Sequence, residues 1–406
     1  MLAGIASGET KMRNFATGAD CASTLACMAA LGCSVERGRE GDGGGEVAVT
    51  GRGAILRAPA GALDCGNSGS TMRMLAGILA AQPFTTRMLG DTSLSRRPMA
   101  RVIEPLQRMG AAIRSATDGL PPLEIQGAAL TAIEYALPVA SAQVKSAVLF
   151  AGLLAHGETW VAEPHRTRDH GELALRAFGA EVTRERNRIG IRGGQALRAI
   201  DAEVYVPGDI SSAAFFLCAA AMLPGSRLVL DGLLLNPTRA AILDVLTGMG
   251  AAIRVLEVEE HHGELMGSVQ ISGGKLRGAQ ISGAQSAALI DELPVLGAMA
   301  AYTTEGIEVR DAKELRVKES DRIAVLAKNL RAMGAEVEEF EDGFRVAGNR
   351  RLHGAEIDSG GDHRIAMACA VAALGAEGDT TIRGAECVAI SFPEFFELVE
   401  RVAVRD

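Results

Sequence analysis

Five segments of this 406-residue chain combine residues that begin helices with residues that bind anions, and each precedes an apolar stretch. They are residues 64–71, 141–143, 208–212, 286–291 and 359–364. Ser, Asn, Asp and Gly are favoured N-cap residues, so capping alone is one explanation of each segment. A helix start is also an anion receptor, because its free N–H groups lie at the positive end of the helix dipole. Since the segments recur at equivalent positions, we expect several to converge on one small, multiply charged substrate.

Basic residues in loop-like stretches and at helix starts point to the same chemistry. They include Arg96, Arg97, Arg316, Lys318, Arg322 and Arg364. A guanidinium group can bind carboxylate or phosphate through two parallel hydrogen bonds, which a lysine cannot. For any one of these residues alone, a solvated surface charge is the alternative. The net charge of −9 argues against nucleic acid as a partner, so we predict a local anion site inside an acidic protein.

An internal repeat supplies the elements that must position these residues. Five helix-like stretches end in a similar short phrase, of the type Leu-Arg-Ala-Met-Gly-Ala, with the glycine at position 32, 110, 179, 250 or 334. Glycine just past a helix takes positive φ without a Cβ penalty and so ends the helix. Each copy is followed by alternating apolar and polar residues, which is typical of a half-buried strand. The pattern predicts an α/β unit of roughly 70 residues, used repeatedly.

Each repeat also contains a second helix that is apolar or small nearly all round, which predicts burial. These helices are predicted at residues 70–80, 143–155, 211–223, 292–302 and 363–374. The predicted fold class is α/β (α+β), with five intact repeats and one incomplete one. A turn at Pro207 divides the chain into a domain of residues 1–207 and a domain of residues 208–406. We expect three repeats in each domain and the active site in the cleft between them.

The amino end departs from the repeat. Residues 6–10 echo residues 155–159, which close a buried helix and open a strand. By this analogy the chain starts inside a sixth buried helix, and the first repeat lacks its first strand. We therefore expect an unpaired sheet edge in the first repeat.

The cysteine content and the length of the longest apolar run indicate the cellular compartment in which the protein is expected. Seven cysteines without a Cys-x-x-Cys pair favour neither a disulfide framework nor a zinc site. The longest apolar run, residues 213–223, is shorter than the roughly 18 residues that span a bilayer. We expect free thiols in a reducing cytoplasm and no membrane association. The absence of a Gly-x-Gly-x-x-Gly motif after a strand excludes a Rossmann nucleotide site.

Seven motifs, in order along the whole chain, resemble the 5-enolpyruvylshikimate-3-phosphate synthase family. They lie at residues 66–73, 97–99, 141–143, 236–239, 315–322, 362–364 and 391–395. The Arg-Val-Lys-Glu-Ser-Asp-Arg string at 316–322 is close to diagnostic, whereas Gly-Asn-Ser-Gly alone is a weak signal. The resemblance implies the enolpyruvyl transferase fold, an inside-out α/β barrel whose two domains each hold three βαβαββ units and close over the substrates. It also implies transfer of the enolpyruvyl group from phosphoenolpyruvate to the 5-hydroxyl of shikimate 3-phosphate, in aromatic amino acid biosynthesis.

The resemblance also assigns site residues. Those implied for phosphoenolpyruvate are Gly69, Arg97, Gln143, Arg322 and Arg364. Those implied for shikimate 3-phosphate are Ser141, Gln143, Thr167, Asp291 and Lys318. Asp291 matches the carboxylate placed on the 5-hydroxyl, and Glu319 matches the candidate proton donor, with a surface salt bridge as the alternative for Glu319. We expect the three arginines to be exposed, so that removing any one costs little stability.

The resemblance leaves alternatives open. The family opens with a Pro-Gly-Asp-Lys-Ser loop, and this sequence starts downstream of it, so poor turnover is expected and a catalytically impaired protein that still binds shikimate 3-phosphate is one alternative. The other is the enolpyruvyl transferase that acts on UDP-N-acetylglucosamine, but the cysteine of its loop is absent from residues 90–98. We expect a monomer that uses no cofactor and no metal.

Overall fold

The computed structural model describes residues 1–38 and 45–403, and the chain divides into two compact units. The first unit is Met1–Val206 with His261–Gly263, and the second is Pro207–Glu260 with Glu264–Asp406. Each unit has its own hydrophobic core. In the described residues, no helix has both the length and the apolar character needed to cross a membrane.

The first unit alternates helices and short strands. Its α-helices are α1 (Leu2–Ile5), α2 (Ala19–Ala30), α3 (Gly69–Leu79), α4 (Ala100–Arg108), α5 (Ala142–Leu154) and α6 (His170–Ala177). Its strands are β1 (Ser7–Phe15), β2 (Ser34–Arg37), β3 (Gly45–Arg52), β4 (Leu63–Asp64), β5 (Thr85–Leu89), β6 (Ala112–Arg114), β7 (Leu123–Gln126), β8 (Glu134–Ala136), β9 (Glu158–Ala162), β10 (Val182–Glu185), β11 (Arg188–Arg192) and β12 (Val204–Tyr205). Short 3-10 helices cover Leu94–Arg96 and Thr117–Gly119.

The strands of the first unit form three four-stranded sheets, in the orders β12-β1-β3-β2, β4-β5-β7-β6 and β10-β11-β9-β8. In the second and third sheets, two parallel strands are followed by an antiparallel hairpin, which is the predicted βαβαββ unit. In the first sheet β12 lies parallel to β1, with Met12 opposite Val204 and Arg13 opposite Tyr205. The expectation of an unpaired edge in the first repeat was therefore wrong, because a strand from the end of the unit fills that position.

The second unit continues the alternation. Its α-helices are α7 (Ile210–Met222), α8 (Ala241–Gly248), α9 (Ala284–Ala288), α10 (Leu293–Met299), α11 (Arg322–Ala332), α12 (His363–Leu374) and α13 (Phe395–Val402). Its strands are β13 (Arg227–Leu234), β14 (Ala252–His261), β15 (Glu264–Ser272), β16 (Ala279–Ile281), β17 (Ile307–Val309), β18 (Val337–Phe340), β19 (Gly343–Val346), β20 (Glu356–Asp358) and β21 (Thr381–Arg383). Short 3-10 helices cover Ala300–Tyr302, Lys313–Val317 and Ala385–Ile390.

The sheets of the second unit differ in completeness. Only β16-β17-β19-β18 has the full four-stranded pattern among the described residues, whereas β13-β15-β14 has three strands and β20-β21 has two. The first of these shorter sheets lacks a leading strand because β12, which precedes α7, pairs in the first unit's sheet. In the last repeat, β21 is followed by a helix, α13, as in the other repeats, but no hairpin follows this helix in the described residues. The expectation of five intact repeats was therefore wrong, although the repeat itself was predicted correctly.

The helix stops and the buried helices agree with the sequence pattern. All five repeated glycines have positive φ, between +90° and +115°. At each stop the residue after the glycine donates its N–H to a carbonyl five residues back, as from Ala335 to Leu330 at 2.9 Å. The helices α3, α5, α7, α10 and α12 are buried on nearly all sides, and every residue from 144 to 153 in α5 is buried. Both predictions are confirmed.

Candidate active site

In the first unit, Gly69 begins α3 beneath two guanidinium groups. The hydroxyl of Ser68 caps the helix by accepting a hydrogen bond from Thr71 N at 3.2 Å. A Cβ atom at Gly69 would lie 2.8 Å from Arg73 Nη1 and 3.5 Å from Arg97 Nη1. The glycine therefore leaves the approach between the helix start and the two arginines open.

Uncharged acceptors hold Arg97 in place. Its guanidinium group donates to the carbonyl and the side-chain oxygen of Asn67 and to Ser93 Oγ, the first and last at 3.1 Å. The amide of Asn67 in turn donates to Asp91 Oδ2 at 2.7 Å, which fixes the side-chain oxygen of Asn67 toward the arginine. Arg97 is only 7 % exposed, so the expectation that it is exposed was wrong.

Arg73 connects Gly69 to Gln143. Arg73 Nη1 donates to Gln143 Oε1 at 2.8 Å, and Gln143 Nε2 donates to Ser70 Oγ at 2.7 Å. The structure thus groups Gly69, Arg97 and Gln143 as the sequence predicts, with Arg73 among them. Arg73 stood inside the motif at residues 66–73 but received no role, because an arginine one turn into a helix reads equally well as a surface residue.

Ser141 and Thr167 lie at two further points of the first unit. Ser141 caps α5 by accepting from Val144 N at 3.4 Å. Thr167 lies between β9 and α6, and both its N–H, at 3.3 Å, and its hydroxyl donate to Glu163 Oε1. Capping, the alternative explanation for the helix-start segments, accounts for Ser68 and Ser141, yet a capped helix keeps further N–H groups for a ligand.

In the second unit, Asp291 is the centre of a group of cations. It lies in the short connection between α9 and α10, and its side chain is 13 % exposed. Among the residues described, four cations approach its carboxylate: Arg322 Nη1 at 3.5 Å, Arg239 Nη1 and Lys318 Nζ at 3.7 Å, and Arg364 Nε at 3.9 Å. Arg364 Nη1 also donates to Asp291 O at 2.9 Å. This arrangement gathers the predicted residues Asp291, Lys318, Arg322 and Arg364.

Arg322 links three carboxylates. Its Nε donates to Asp362 Oδ2 at 2.9 Å, its Nη2 contacts Glu319 Oε2 at 2.5 Å, and its Nη1 faces Asp291. Burial disfavours the charged guanidinium, but Asp362, Glu319 and Asp291 outweigh it and raise the pKa of Arg322. Glu319 does form a salt bridge, but its partner Arg322 is buried, and the side chains of Arg322 and Glu319 are 1 % and 15 % exposed. The expectation of an exposed arginine fails here too, and the Arg364 side chain is only 14 % exposed.

Two residues of this cluster had no predicted role. Asp209 caps α7 through Ser211 N and Ser212 N, and its Oδ1 lies 3.2 Å from Arg239 Nη2. Partial desolvation opposes ionisation of Asp209, whose side chain stays 46 % exposed, but the charges of Arg239 and Arg364 outweigh it and lower the pKa of Asp209 to about 2. Arg239 closes the motif at residues 236–239, which was the only sequence signal for it.

His363, the first residue of α12, is 6 % exposed beside these cations. Burial, followed by the charge of Arg364, lowers the pKa of His363 to about 4. The imidazole is therefore neutral at physiological pH and adds no positive charge to the cluster.

The repeated βαβαββ units in two compact halves, with helix starts and cations collected in each half, define the class of enolpyruvyl transferases. The family model described as EPSP synthase (3-phosphoshikimate 1-carboxyvinyltransferase) matches residues 1–399. The chain belongs to the EPSP synthase family.

Named relatives align with nearly the whole chain. A 3-phosphoshikimate 1-carboxyvinyltransferase of Koribacter versatilis is 62 % identical over 405 residues, which are 100 % of this chain and 93 % of the relative. One of Solibacter usitatus is 54 % identical, with 99 % of this chain and 93 % of the relative covered. A solved EPSP synthase of Acinetobacter baumannii is 44 % identical and superposes with a TM-score of 0.86. The match covers 99 % of this chain and 92 % of the chain in that structure. The predicted family and fold are confirmed.

Proposed function

We propose that this chain is a 3-phosphoshikimate 1-carboxyvinyltransferase, which moves the enolpyruvyl group of phosphoenolpyruvate to the 5-hydroxyl of shikimate 3-phosphate and releases phosphate. The observation that carries the proposal is the Asp291 carboxylate among four cations in a chain of this family. The two substrates bring two phosphates and two carboxylates, so their binding requires several fixed cations and helix starts.

Phosphoenolpyruvate binding is assigned to residues of both clusters. In the first unit, Gly69 leaves the helix start open, while Arg97 and Gln143 offer donors beside it. In the second unit, Arg322 and Arg364 provide guanidinium groups for carboxylate or phosphate. Arg73 and Arg239 join this set, because each contacts a residue of the predicted site directly.

Shikimate 3-phosphate binding is assigned to hydroxyl, amide and charged groups. Ser141, at the start of α5, and Thr167 supply hydroxyls suited to a phosphate group, and Gln143 supplies an amide. Lys318 lies 3.7 Å from Asp291, so one substrate hydroxyl can meet a donor and an acceptor at the same place.

The chemistry needs a proton acceptor and a proton donor. As the 5-hydroxyl oxygen bonds to C2 of phosphoenolpyruvate, its proton passes to Asp291 and C3 takes a proton from Glu319. In the second step C3 returns its proton to Glu319, the C2–O bond to phosphate breaks, and the leaving phosphate takes up the proton held by Asp291. Positioned acid–base groups typically contribute about 10²–10⁴ in rate. Cations fixed before the reaction stabilise the charge that develops on the tetrahedral intermediate and usually contribute more.

Steady-state assays of the purified chain test this function. Phosphate release should require both phosphoenolpyruvate and shikimate 3-phosphate, and mass spectrometry should find the enolpyruvyl ether of the acceptor. Calorimetry measures the binding of shikimate 3-phosphate separately, so comparing binding with turnover distinguishes an enzyme from a protein that only binds the ligand. Turnover with UDP-N-acetylglucosamine in place of shikimate 3-phosphate, or binding without turnover, would overturn the proposal.

We also propose that the protein works as a monomer in the cytoplasm. Each unit has a continuous core of its own, and all seven cysteines are free thiols, which supports a reducing compartment. Light scattering after size-exclusion chromatography should give a mass near 42.3 kDa.

A further inference from the structure

The first unit contains four charged side chains that the proposed reaction does not use. Lys145 on α5 is completely buried, and its Nζ lies 2.7 Å from Glu163 Oε1 and 2.9 Å from Glu172 Oε1. Arg184 on β10 approaches Glu172 Oε1 at 3.3 Å and Glu163 Oε2 at 3.6 Å. Two cations and two carboxylates balance, which is the condition under which such a buried group is tolerated.

One member of this buried cluster touches a residue of the proposed substrate site. Glu163 Oε1 accepts hydrogen bonds from both the N–H and the hydroxyl of Thr167. The backbone of Glu163 is fixed as well, because its N–H donates to Asn187 O at 2.8 Å and its carbonyl accepts from Asn187 Nδ2 at 3.0 Å. Glu172 meets the same two cations as Glu163, but its carboxylate pairs with no atom of Thr167 in the contacts described.

A hydroxyl group has one proton to donate. In the structure the Thr167 hydroxyl donates that proton to Glu163, whereas a phosphate dianion offers only acceptors. Binding a phosphate through Thr167 therefore requires the hydroxyl to turn from Glu163 to the ligand. Glu163 can release it at low cost, because the charge of Lys145 stays 2.7 Å away and the Thr167 N–H remains as a donor.

We propose that Glu163, held by Lys145, is a positioning residue that accepts from the Thr167 N–H, fixes the Thr167 backbone and so keeps the Thr167 hydroxyl within reach of the phosphate of shikimate 3-phosphate. The proposal rests on the proposed function, since it takes Thr167 as a ligand of that phosphate. It assigns a binding role to a buried ion cluster that otherwise only connects α5, α6 and β10.

The test compares Glu163→Met with Glu172→Met. Both substitutions remove one buried carboxylate from Lys145 and Arg184 and leave the same excess charge, and only Glu163→Met removes the acceptor of Thr167. We expect Glu163→Met to raise KM for shikimate 3-phosphate about tenfold, because the Thr167 N–H loses the charged acceptor that fixes the backbone in the bound state. The kcat and the KM for phosphoenolpyruvate should change less than twofold, and Glu172→Met should leave all three within twofold.

A conservative replacement of Glu163 should restore the affinity for shikimate 3-phosphate. Glu163→Gln keeps an oxygen that can accept from Thr167, so its KM for shikimate 3-phosphate should return to within about threefold of the wild-type value. If Glu163→Met does not fold, Lys145→Met/Glu163→Met and its match Lys145→Met/Glu172→Met carry the same comparison. Each pair removes one charge of either sign and leaves one carboxylate with Arg184.

Thr167→Val separates this inference from the proposed function. It removes the hydroxyl itself, so an unchanged KM for shikimate 3-phosphate in Thr167→Val would show that the phosphate site is misassigned. A raised KM in Thr167→Val with an unchanged KM in Glu163→Met would refute the positioning role alone. Equal increases in Glu163→Met and Glu172→Met would refute it too, because general disturbance of the cluster would then be the cause.

Discussion

The two clusters of site residues hold their cations by different means. In the first unit, the hydrogen bonds described for Arg73 and Arg97 go to uncharged acceptors, among them Gln143 and Asn67. In the second unit, Arg322 and its neighbours contact carboxylates. The ion pairs described there join Arg239, Lys318, Arg322 and Arg364 to Asp209, Asp291, Glu319 and Asp362, and the charge of the buried Glu292 also acts on Arg239.

This difference indicates that the two clusters contribute differently to binding and to chemistry. Amide, hydroxyl and carbonyl oxygens that position a guanidinium group do not neutralise its charge, which suits the binding of an anion. Cations paired with carboxylates bind a further anion less strongly, but those carboxylates can exchange protons while the cations beside them stabilise charge. We therefore expect changes in the second unit to affect the chemical step and stability, and changes in the first to affect substrate affinity.

The largest effect is expected from Asp291→Asn. The substitution keeps the shape of the side chain and removes the proton acceptor, so kcat should fall by about 10²–10⁴. Steady-state phosphate release measures it, with circular dichroism to verify folding. Asp244→Asn, an exposed carboxylate on α8, is the control and should keep full activity. A kcat within threefold of wild type in Asp291→Asn would remove Asp291 from the chemical step.

Arg322→Ala should cost the most stability. It leaves the fully buried Asp362 and the adjacent Glu319 without their cation, a situation that typically costs about 3–5 kcal/mol. Arg97→Ala leaves the neutral acceptors of Asn67 and Ser93 behind and should cost about 1–2 kcal/mol. Thermal melts should therefore show a decrease on the order of 10 °C for Arg322→Ala and a clearly smaller one for Arg97→Ala. Equal decreases would mean that the two clusters do not differ as described.

Much of the fold could be predicted because its signals are local. The repeated glycines predict positive φ at the helix ends, and the apolar sequences predict buried helices. The pairing of β12 with β1 has no local signal, because β12 is two residues long and its partner lies about 190 residues earlier. A repeat pattern assigns each strand to the repeat that contains it in the sequence. It therefore predicted no partner strand at the edge of β1.

The site could be predicted only in part, for a related reason. Motif residues such as Arg322 and Asp291 were found, but the contacts that define their chemistry come from distant elements. Asp209 caps α7, Arg239 precedes α8 and Asp362 caps α12, and in isolation each is explained equally well as a helix cap or a surface charge. For the same reason Arg322 was expected to be exposed, since the sequence does not show the three carboxylates that allow its burial.

Mild acid should weaken the second unit through His363. Its pKa is about 4 in the folded protein, below the ordinary value of 6.5, so between these pH values the unfolded chain binds a proton that the folded protein does not. Stability is therefore lost as pH falls, by about 2 kcal/mol between pH 7 and pH 5. Urea titrations at both pH values measure the loss, and it should shrink in His363→Gln. The same pH dependence in wild type and His363→Gln would assign it to other groups.

The smallest effect is expected from Gly69→Ala, which probes the open helix start of the first unit. The new Cβ would lie 2.8 Å from Arg73 Nη1 and 3.5 Å from Arg97 Nη1, and the Arg73 guanidinium can move aside because it is the end of a flexible side chain. Stability should therefore change by less than about 1 kcal/mol. The KM for phosphoenolpyruvate should rise about three- to tenfold, because a methyl group then occupies the approach of the ligand to the backbone. Gly77→Ala is the contrasting control, since its Cβ would lie 2.1 Å from the backbone oxygen of Ala147 and should destabilise the α3–α5 packing. If Gly69→Ala lowered the melting temperature as much as Gly77→Ala, the glycine would serve packing, and the first cluster would lose its opening for a ligand.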